Sequence, residues 1–583
     1  MNKKKIMATM AGLMTLSVAL TACGSGDSDS KKPGGDKKQE DQSKIEIKTL
    51  AASDPSKIPE AAKNRKGTMI IGINAPDGIL NPLYATSSYD VEINELMFSG
   101  LFITEKDGSL KEHLAELPKV SEDGKKYTVK LKDGLKWSDG KPITTDDIEL
   151  AFKIYCDGTY TGRADMPTLD LVGWRDYKDG KADNIAGIKK IDKQTIEFTV
   201  GKPTAKTERM LGVAPMPSHY YGQVYKQGSA NLVEDLHRKP EVNSGPYKFV
   251  SFKEGQEVVL KANENYFKGK PKIENVIYKV TTDKTVLAQL ESGEIDMANV
   301  TIDEDNVEQI QGMEYLNIHY YPFNGYGYIG LNQLGDSKLK DVKVRQALTY
   351  GLNREEIVKN IYGPYAEPMN VPQAKISWAY PKDVKMEEYK YDKEKAQKLL
   401  EEAGWKKNSN GKLEKDGKIF TLKFLQTADN EVAASMIPVA KKNYEELGIE
   451  FTAEQLDFTT LRKKILDAKQ GKPNAEYDMY FAAWGLTPEP DSTNLFTSKG
   501  MQNDIGYSNP KVDEIMRKGL EEFDLEKRKE IYKELYTELN KDLPYIYIYQ
   551  RSNGYALSSR IKNFQDEPFS EYTVNIHEME LTE

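Results

Sequence analysis

The sequence predicts an α/β protein built from at least two lobes. Three observations carry that expectation. The chain has 583 residues, several times the roughly 150 of one ordinary domain. From Thr68 onward strand signals and helix signals alternate, as in layered α/β architectures. The two signals are also unevenly shared: strands cluster between Thr195 and Val280, and helices dominate after Thr285. No internal repeat is present.

At the N-terminus, Lys3, Lys4 and Lys5 precede an apolar run from Ile6 to Leu20 and the small residues Thr21 and Ala22. That is the layout of a secretory signal. The run falls short of the roughly 20 apolar residues that a membrane span needs. Leu20-Thr21-Ala22-Cys23 reads as a lipobox, so 1–22 is the expected signal peptide and the Cys23 thiol is the expected carrier of a diacylglycerol. Stable anchoring takes more than one acyl chain. Gly24 to Lys44 contains no large apolar residue and cannot bury enough surface to order itself. Residues 23–66 therefore read as lipid anchor and disordered tether. The expected location is the extracellular face of the cytoplasmic membrane, which is the periplasmic side where an outer membrane exists.

In the body, TMIIGIN is a short buried-strand run. KKYTVKLKDGLKWSDGK alternates at Tyr127, Val129 and Leu131 and turns at Asp133-Gly134 and Asp139-Gly140, a hairpin-like signal. TTDDIELAFKIY opens a helix capped by Thr144 or Thr145, with acids in its first turn. TIEFTV, GPYKFVSF, EVVLKAN and ENVIYKV are strands. LAQLESGEIDMANV gives a helix, a stop at Gly293 and a strand. DVKVRQALTYGLNREEIVKNIYGP is two helices in series. Asp341 caps the first, and Asn353 the second with Glu356 in the capping-box position; Gly363-Pro364 ends it. DKEKAQKLLEEAG, MIPVAKKNYEELG, PKVDEIMRKGLEEF and LEKRKEIYKELYTEL are further helices.

Composition narrows the function. A net charge of -9 argues against nucleic acid, whose binding depends on Lys and Arg neutralising phosphates. With Cys23 lipidated, Cys156 is the one remaining thiol, so no intramolecular disulfide forms, and Cys156 reads as a small buried apolar residue. GxxxxGK[ST] and GxSxG are both missing. The histidines at 113, 219, 237, 319 and 577 have no metal spacing. No catalytic residue, metal or cofactor is expected. Gly325-Tyr326-Gly327-Tyr328-Ile329-Gly330 has the GxGxxG form but runs from one strand-like stretch into another, so it reads as a strand whose glycines admit a close neighbour. The 34 tyrosines, twice the 17 phenylalanines, suit a surface that recognises varied ligands.

Several blocks, in order, resemble one family, the extracellular solute-binding proteins of family 5. NSGPYKFVSFKEGQEVVLKANENYF (Asn243–Phe267) is similar to its GxY…L.xNxxYW block. LKWSDGKP from Leu135, followed by Asp146 and Asp147, resembles its W-S-D-G-x-P-x-T-A-x-D block. VKVRQALTYGLN (Val342–Asn353) is similar to its VRxAxxxAxDR helix. SGEIDMA, DKEKAQKLLEEAGW and GYSNPKVDEIM also match. The similarity covers about Gly72 to Phe564. It implies a two-lobed periplasmic-binding-protein-like fold (type II, cluster C) that closes about two crossing strands, with an extra domain inserted in the first lobe. By this similarity lobe I is 67–102, 185–280 and 547–583, the extra domain 103–184, and lobe II 281–546.

The function so implied is capture of oligopeptides for an ABC importer by a monomeric receptor, with a membrane permease and separate ATPase subunits as partners. Capture of an oligosaccharide or other solute is an alternative, and a surface-anchored hydrolase another. A peptide's ammonium end needs a carboxylate, because an unpaired buried charge costs several kcal/mol. Family members that bind free amino ends place an aspartate three residues after a tryptophan. Here the matching block is AWGLTPEPD, with Trp484 and, at the expected position, Thr487; Glu489 or Asp491 is left to supply the charge. Asn81, Tyr84, Tyr326, Tyr328 and Trp378 complete the candidate ligand-binding set. Trp137 and Arg345, although in family blocks, read as scaffold.

Overall fold

The computed structural model describes residues 47–428 and 430–582. The expected signal peptide, Cys23 and the tether as far as Glu46 lie outside the described residues. The spine is a 13-stranded sheet. Its strands in chain order are β1 (Lys48–Leu50), β2 (Thr68–Ile73), β3 (Tyr247–Lys253), β4 (Glu257–Ala262), β5 (Asn275–Val280), β6 (Met297–Asn299), β7 (Leu316–Pro322), β8 (Gly325–Leu331), β9 (Thr421–Thr427), β10 (Glu450–Leu456), β11 (Met479–Gly485) and β12 (Tyr545–Ser558), with the short Ala366–Glu367 against β12. Laterally the path is β10-β9-β11-β8-β12-β6-β2-β5-β4-β3.

Strand β12 belongs to both lobes. Tyr545 to Tyr549 pair with β8, whereas Ser552 to Ser558 pair with β7. The chain also passes from β7 to β8 with only Phe323 and Asn324 between them. Two strands thus cross together. At the crossing Phe323 N donates to Arg551 O at 2.9 Å, and the buried Gln550 side chain donates to Phe323 O at 3.0 Å. The side chain supplies the bond that the ladder loses where the strands change sheets, as buried backbone groups require.

The tether is shorter than expected. Lys48–Leu50 pairs antiparallel with β7, Lys48 opposite Tyr320 and Leu50 opposite Ile318. Leu50 and Ile58 pack on the core around Leu290, Ile302 and Ile318. The leash-like composition ends at Lys44, and the apolar residues after it have a core to join. That core, spanning Val286 to Tyr320 with Ala556, packs on the β7 side of the crossing.

The region of the expected insertion, 103–184, shares a four-stranded sheet with residues expected in lobe I: Lys126–Lys130 pairs with Thr195–Thr199, and Ile188–Lys190 adds the edge. Trp137, Phe152, Trp174 and Phe198 fill its core. Buried Asp147 explains the WSDG…TTDD block: its carboxylate accepts from Trp137 Nε1 (3.2 Å), Thr144 N (2.8 Å) and Ser218 N (2.8 Å). Asp147 thus staples the turn, the cap of the Thr145–Tyr155 helix and a remote segment. Arg345 donates to the carbonyls of Leu339, Lys340 and Asp542; it and Trp137 are scaffold. Cys156 is buried, and burial pushes its thiol up to about 12.

The GxGxxG run is β8 itself. A Cβ at Gly327 would meet the Tyr549 ring at 2.4 Å, and one at Gly330 the Tyr480 ring at 2.6 Å. The glycines make room for tyrosines of the neighbouring strands.

Buried Asp296, just before β6, ties the lobe I sheet to the C-terminal segment. It accepts from Arg65 Nη2 (2.9 Å) and Ile70 N (2.8 Å), with Arg560 Nε at 3.6 Å. Asp296→Ala leaves two guanidiniums without their carboxylate. The expected loss is about 3 kcal/mol, read as a lower urea midpoint, with Asp296→Asn intermediate.

Candidate functional site

Between the two halves lies a cavity of about 500 Å³, within the range of small-molecule sites. One wall is the helix Ser88–Met97, here called αA, whose N-cap Ser87 accepts from Tyr89 N. The opposite side is the Leu486–Pro488 loop that follows β11, and the C-terminal segment around Phe569 and Glu571 closes the floor. A strand end, a helix and a terminal segment from distant parts of the chain meet there.

The halves touch directly beside it. Lys206 Nζ lies 2.9 Å from Asp491 Oδ2, Lys202 Nζ 2.5 Å from Glu521 Oε1, and Ala205 N donates to Leu520 O at 2.9 Å. Burial works against the Asp491 charge, but Lys206 and the Thr493 hydroxyl overcome it and hold the carboxyl below its ordinary value. The Lys206–Asp491 pair is mostly buried, with side chains 22% and 11% exposed; the Lys202–Glu521 pair is open to water and contributes little.

The structure separates the expected site residues into three groups. Trp484, Tyr326 and Tyr328 belong to the lobe II core: Trp484 stacks on Tyr328 at 6.3 Å with the rings 4° apart, and Tyr326 is 1% exposed. Trp378, Glu489 and Thr487 form a second group around Arg528. The Arg528 guanidinium lies 4.9 Å over the Trp378 ring and pairs with Glu489, and Thr487 Oγ1 donates to Glu489 O at 2.6 Å. Asn81 and Tyr84 are packed in lobe I. Asn81 Oδ1 accepts from Leu83 N at 3.0 Å, and Tyr84 donates to Ala230 O at 2.7 Å. Asp491 stands apart in the interlobe pair. Neither acid nominated for a ligand's amino end is uncommitted: each already faces a base. The AWGLTPEPD block reaches the cavity through Leu486 and Pro488 instead.

The sequence reading missed the acids that do line the cavity, Glu95 on αA and Glu571 near the C-terminus. Glu95 accepts from Thr573 Oγ1 at 2.6 Å, and its neighbour Glu92 accepts from the Tyr572 hydroxyl. Burial, then Glu571, pushes the Glu95 carboxyl up to about 8. Burial also raises Glu571. Nothing in either local sequence marks these residues, and 476 positions of chain separate the pair. Among the described residues no group of three or more His, Cys, Asp or Glu is placed to hold a metal ion, and no helix is long and apolar enough to cross a membrane.

The description "Bacterial extracellular solute-binding proteins, family 5 Middle" fits residues 109–506. The chain belongs to this family. Along nearly its whole length this family-5 solute-binding protein is similar to the oligopeptide-binding protein AppA of Bacillus subtilis strain 168, with 28% identity over 97% of each chain. The structure of AppA from Bacillus subtilis in complex with a nonapeptide superposes with a TM-score of 0.73 at 28% identity, over 88% of this chain and 99% of the other. The ABC transporter substrate-binding protein CtaP of Listeria monocytogenes gives 0.75 at 27% identity, over 88% and 99%.

The interlobe pair makes a prediction for this family member. Lys206→Met leaves Asp491 charged and largely buried without its base, so the closed form weakens. Small-angle scattering of the ligand-free variant is expected to show a larger radius of gyration than the wild type, with a melting temperature of the separate lobes little changed. Affinity for captured ligand is expected to fall about tenfold.

Proposed function

We propose that this protein captures oligopeptides in the cleft between its lobes and delivers them to a membrane permease driven by separate ATPase subunits. The observation that carries the reading is the near-full-length similarity to an oligopeptide-binding protein whose nonapeptide complex shares the fold. The local geometry supports it. The chain crosses between the lobes twice, through β12 and through the short β7–β8 passage, so the lobes hinge rather than part. We place the hinge at Phe323–Asn324 and Gln550–Arg551, which moves residues 281–322 from lobe II to lobe I and residues 547–549 from lobe I to lobe II.

A peptide in such a cleft has its backbone groups satisfied by strand-like pairing and by water, without strict reading of sequence. The protein acts by capture, without turnover. A diacylglycerol on Cys23 holds it on the outer face of the cytoplasmic membrane, and the residues up to Glu46 serve as the leash. It works as a monomer, and its partners are the peptide and the transporter.

Native mass spectrometry of the full chain, purified in mild detergent without denaturation, tests this. Excess mass that resolves on release into a set of short peptides is the expected outcome. A ladder spaced by hexose units would move the assignment to sugar capture, and loss of added peptide with appearance of fragments would mean hydrolysis. Intact mass also reads the diacylglycerol on Cys23.

A further inference from the structure

We infer that the side chains of Asn324 and Gln550 are positioning groups that couple the cavity to the hinge. Through them the loops of lobe II hold the two chain crossings, so an occupant of the cavity sets how far the lobes close. The inference rests on the reading of the protein as a receptor that captures peptide between its lobes, and names how occupancy reaches the hinge.

Asn324 makes the first link. Strand β8 pairs with β11 from Gly325 opposite Gly485. One step further, Leu486 N donates to Asn324 O at 2.8 Å and continues the ladder. The return bond comes from the side chain: Asn324 Nδ2 donates to Leu486 O at 2.8 Å. Asn324 is 6% exposed, and its Oδ1 has no hydrogen-bond partner in the protein. An unpaired buried acceptor is costly, so this amide is held in place for its bond to Leu486.

Gln550 makes the second link, from β12. Its side chain is fully buried. Nε2 donates to Phe323 O at 3.0 Å, and Oε1 accepts from Lys375 N at 3.2 Å. One amide thus joins the β7–β8 passage to the stretch 368–392, which contains no helix or strand. That stretch is itself fastened to lobe II. Tyr536 donates its hydroxyl proton to Gln373 Oε1 at 2.9 Å, and Arg354 Nη2 donates to Glu388 O at 2.8 Å.

The two links meet at their far ends. Trp378, three residues after Lys375, lies 4.9 Å from the Arg528 guanidinium, and Arg528 pairs with Glu489. Glu489 belongs to the segment that starts at Leu486. A ring therefore runs from Asn324 through Leu486 and Glu489, over Arg528 to Trp378, and back to the crossing at Gln550. Leu486 and Pro488 line the cavity on this ring. Pro488 and Pro490 each fix φ, which stiffens the segment between Leu486 and Asp491. Asp491 at its far end carries the pair with Lys206 across the lobes.

A crossing needs only that its buried backbone groups be satisfied. Here the partners come from a cavity-lining segment and from the loop packed behind it. Rotation at the crossing must carry Leu486 and Lys375 along or break their bonds. A peptide that presses on Leu486 and Pro488 therefore acts on Asn324 at one end of a stiff segment and on the Lys206 contact at the other.

Hydrogen exchange of the full chain in mild detergent tests this. The probe is the nonapeptide that the wild type retains most from a randomised nonapeptide library. Leu486 N–H reports the cavity, Phe323 N–H, which donates to Arg551 O, reports the hinge, and Ala205 N–H, which donates to Leu520 O across the lobes, reports closure. In the wild type the peptide is expected to slow exchange at all three, by about tenfold at Phe323 and Ala205. In Gln550→Met the peptide is expected to slow Leu486 still, with less than about twofold slowing left at Phe323 and Ala205. A purely structural role for Gln550 would raise exchange with and without peptide alike and leave the peptide-induced slowing intact. That result would overturn the inference. Should Gln550→Met fail to fold, the wild type decides through Lys375 N–H, which donates to Gln550 Oε1 and does not line the cavity. Peptide-induced slowing at Lys375 is the expected result; slowing at Leu486 with none at Lys375 and Phe323 would overturn the coupling. Retention of no peptide from the library would overturn the peptide reading and this inference with it.

Discussion

Two chain crossings between the lobes, the unbroken strand β12 and the β7–β8 passage through Phe323 and Asn324, set the terms for everything else in this molecule. A strand can change sheets only where its hydrogen-bonding groups find other partners. Here the buried side chain of Gln550 and the exchange between Phe323 and Arg551 supply them. The Arg551 guanidinium lies over the Phe323 ring at 5.1 Å, which keeps this junction packed while leaving it outside either ladder. The lobes are therefore coupled by a narrow, satisfied crossing, and their relative motion is hinge-like rather than free.

Closure about such a crossing has to be held by contacts of modest strength, or a captured ligand would never leave. The contacts seen match that need. One ion pair is mostly buried, one is exposed, and one backbone hydrogen bond joins the loop after Gly201 to the end of the Pro510–Glu521 helix. Each is worth little to a few kcal/mol. Their sum is of the order that ligand contacts can tip in either direction.

Charge is distributed unequally between the two jaws. On the lobe II side, Glu489 and Asp491 are neutralised by Arg528 and Lys206. On the lobe I side, Glu95 and Glu571 face the cavity with hydroxyl and acid neighbours only among their strongest interactions. Thr487, not an acid, stands three residues after Trp484, and the acids that line the cavity come from the opposite jaw.

Much of this was legible in the sequence because it is local. Helix caps at Asp341 and Asn353 follow from short-range hydrogen bonding, and both accept from the first-turn N–H groups as expected. Three of the four strands between Thr195 and Val280 alternate, one face buried, and were readable. Strand β12 was not, because Tyr545 to Ser558 is buried almost throughout and so carries no alternation, while QRSNG in its middle looks like a loop. The family and its two-lobed fold were readable because ordered blocks such as WSDG and VKVRQALTYGLN serve the scaffold, as Asp147 and Arg345 show. The ligand-facing residues were not. Asp491 and Glu489 look free in one dimension; that each has a base depends on Lys206 and Arg528 arriving from elsewhere. Glu95 and Glu571 become a pair only when αA and the C-terminal segment share a wall. Local chemistry decides which elements form, whereas the pairing of distant charges depends on the tertiary fold, since Coulomb and desolvation energies are set by distance and burial, which sequence order does not specify.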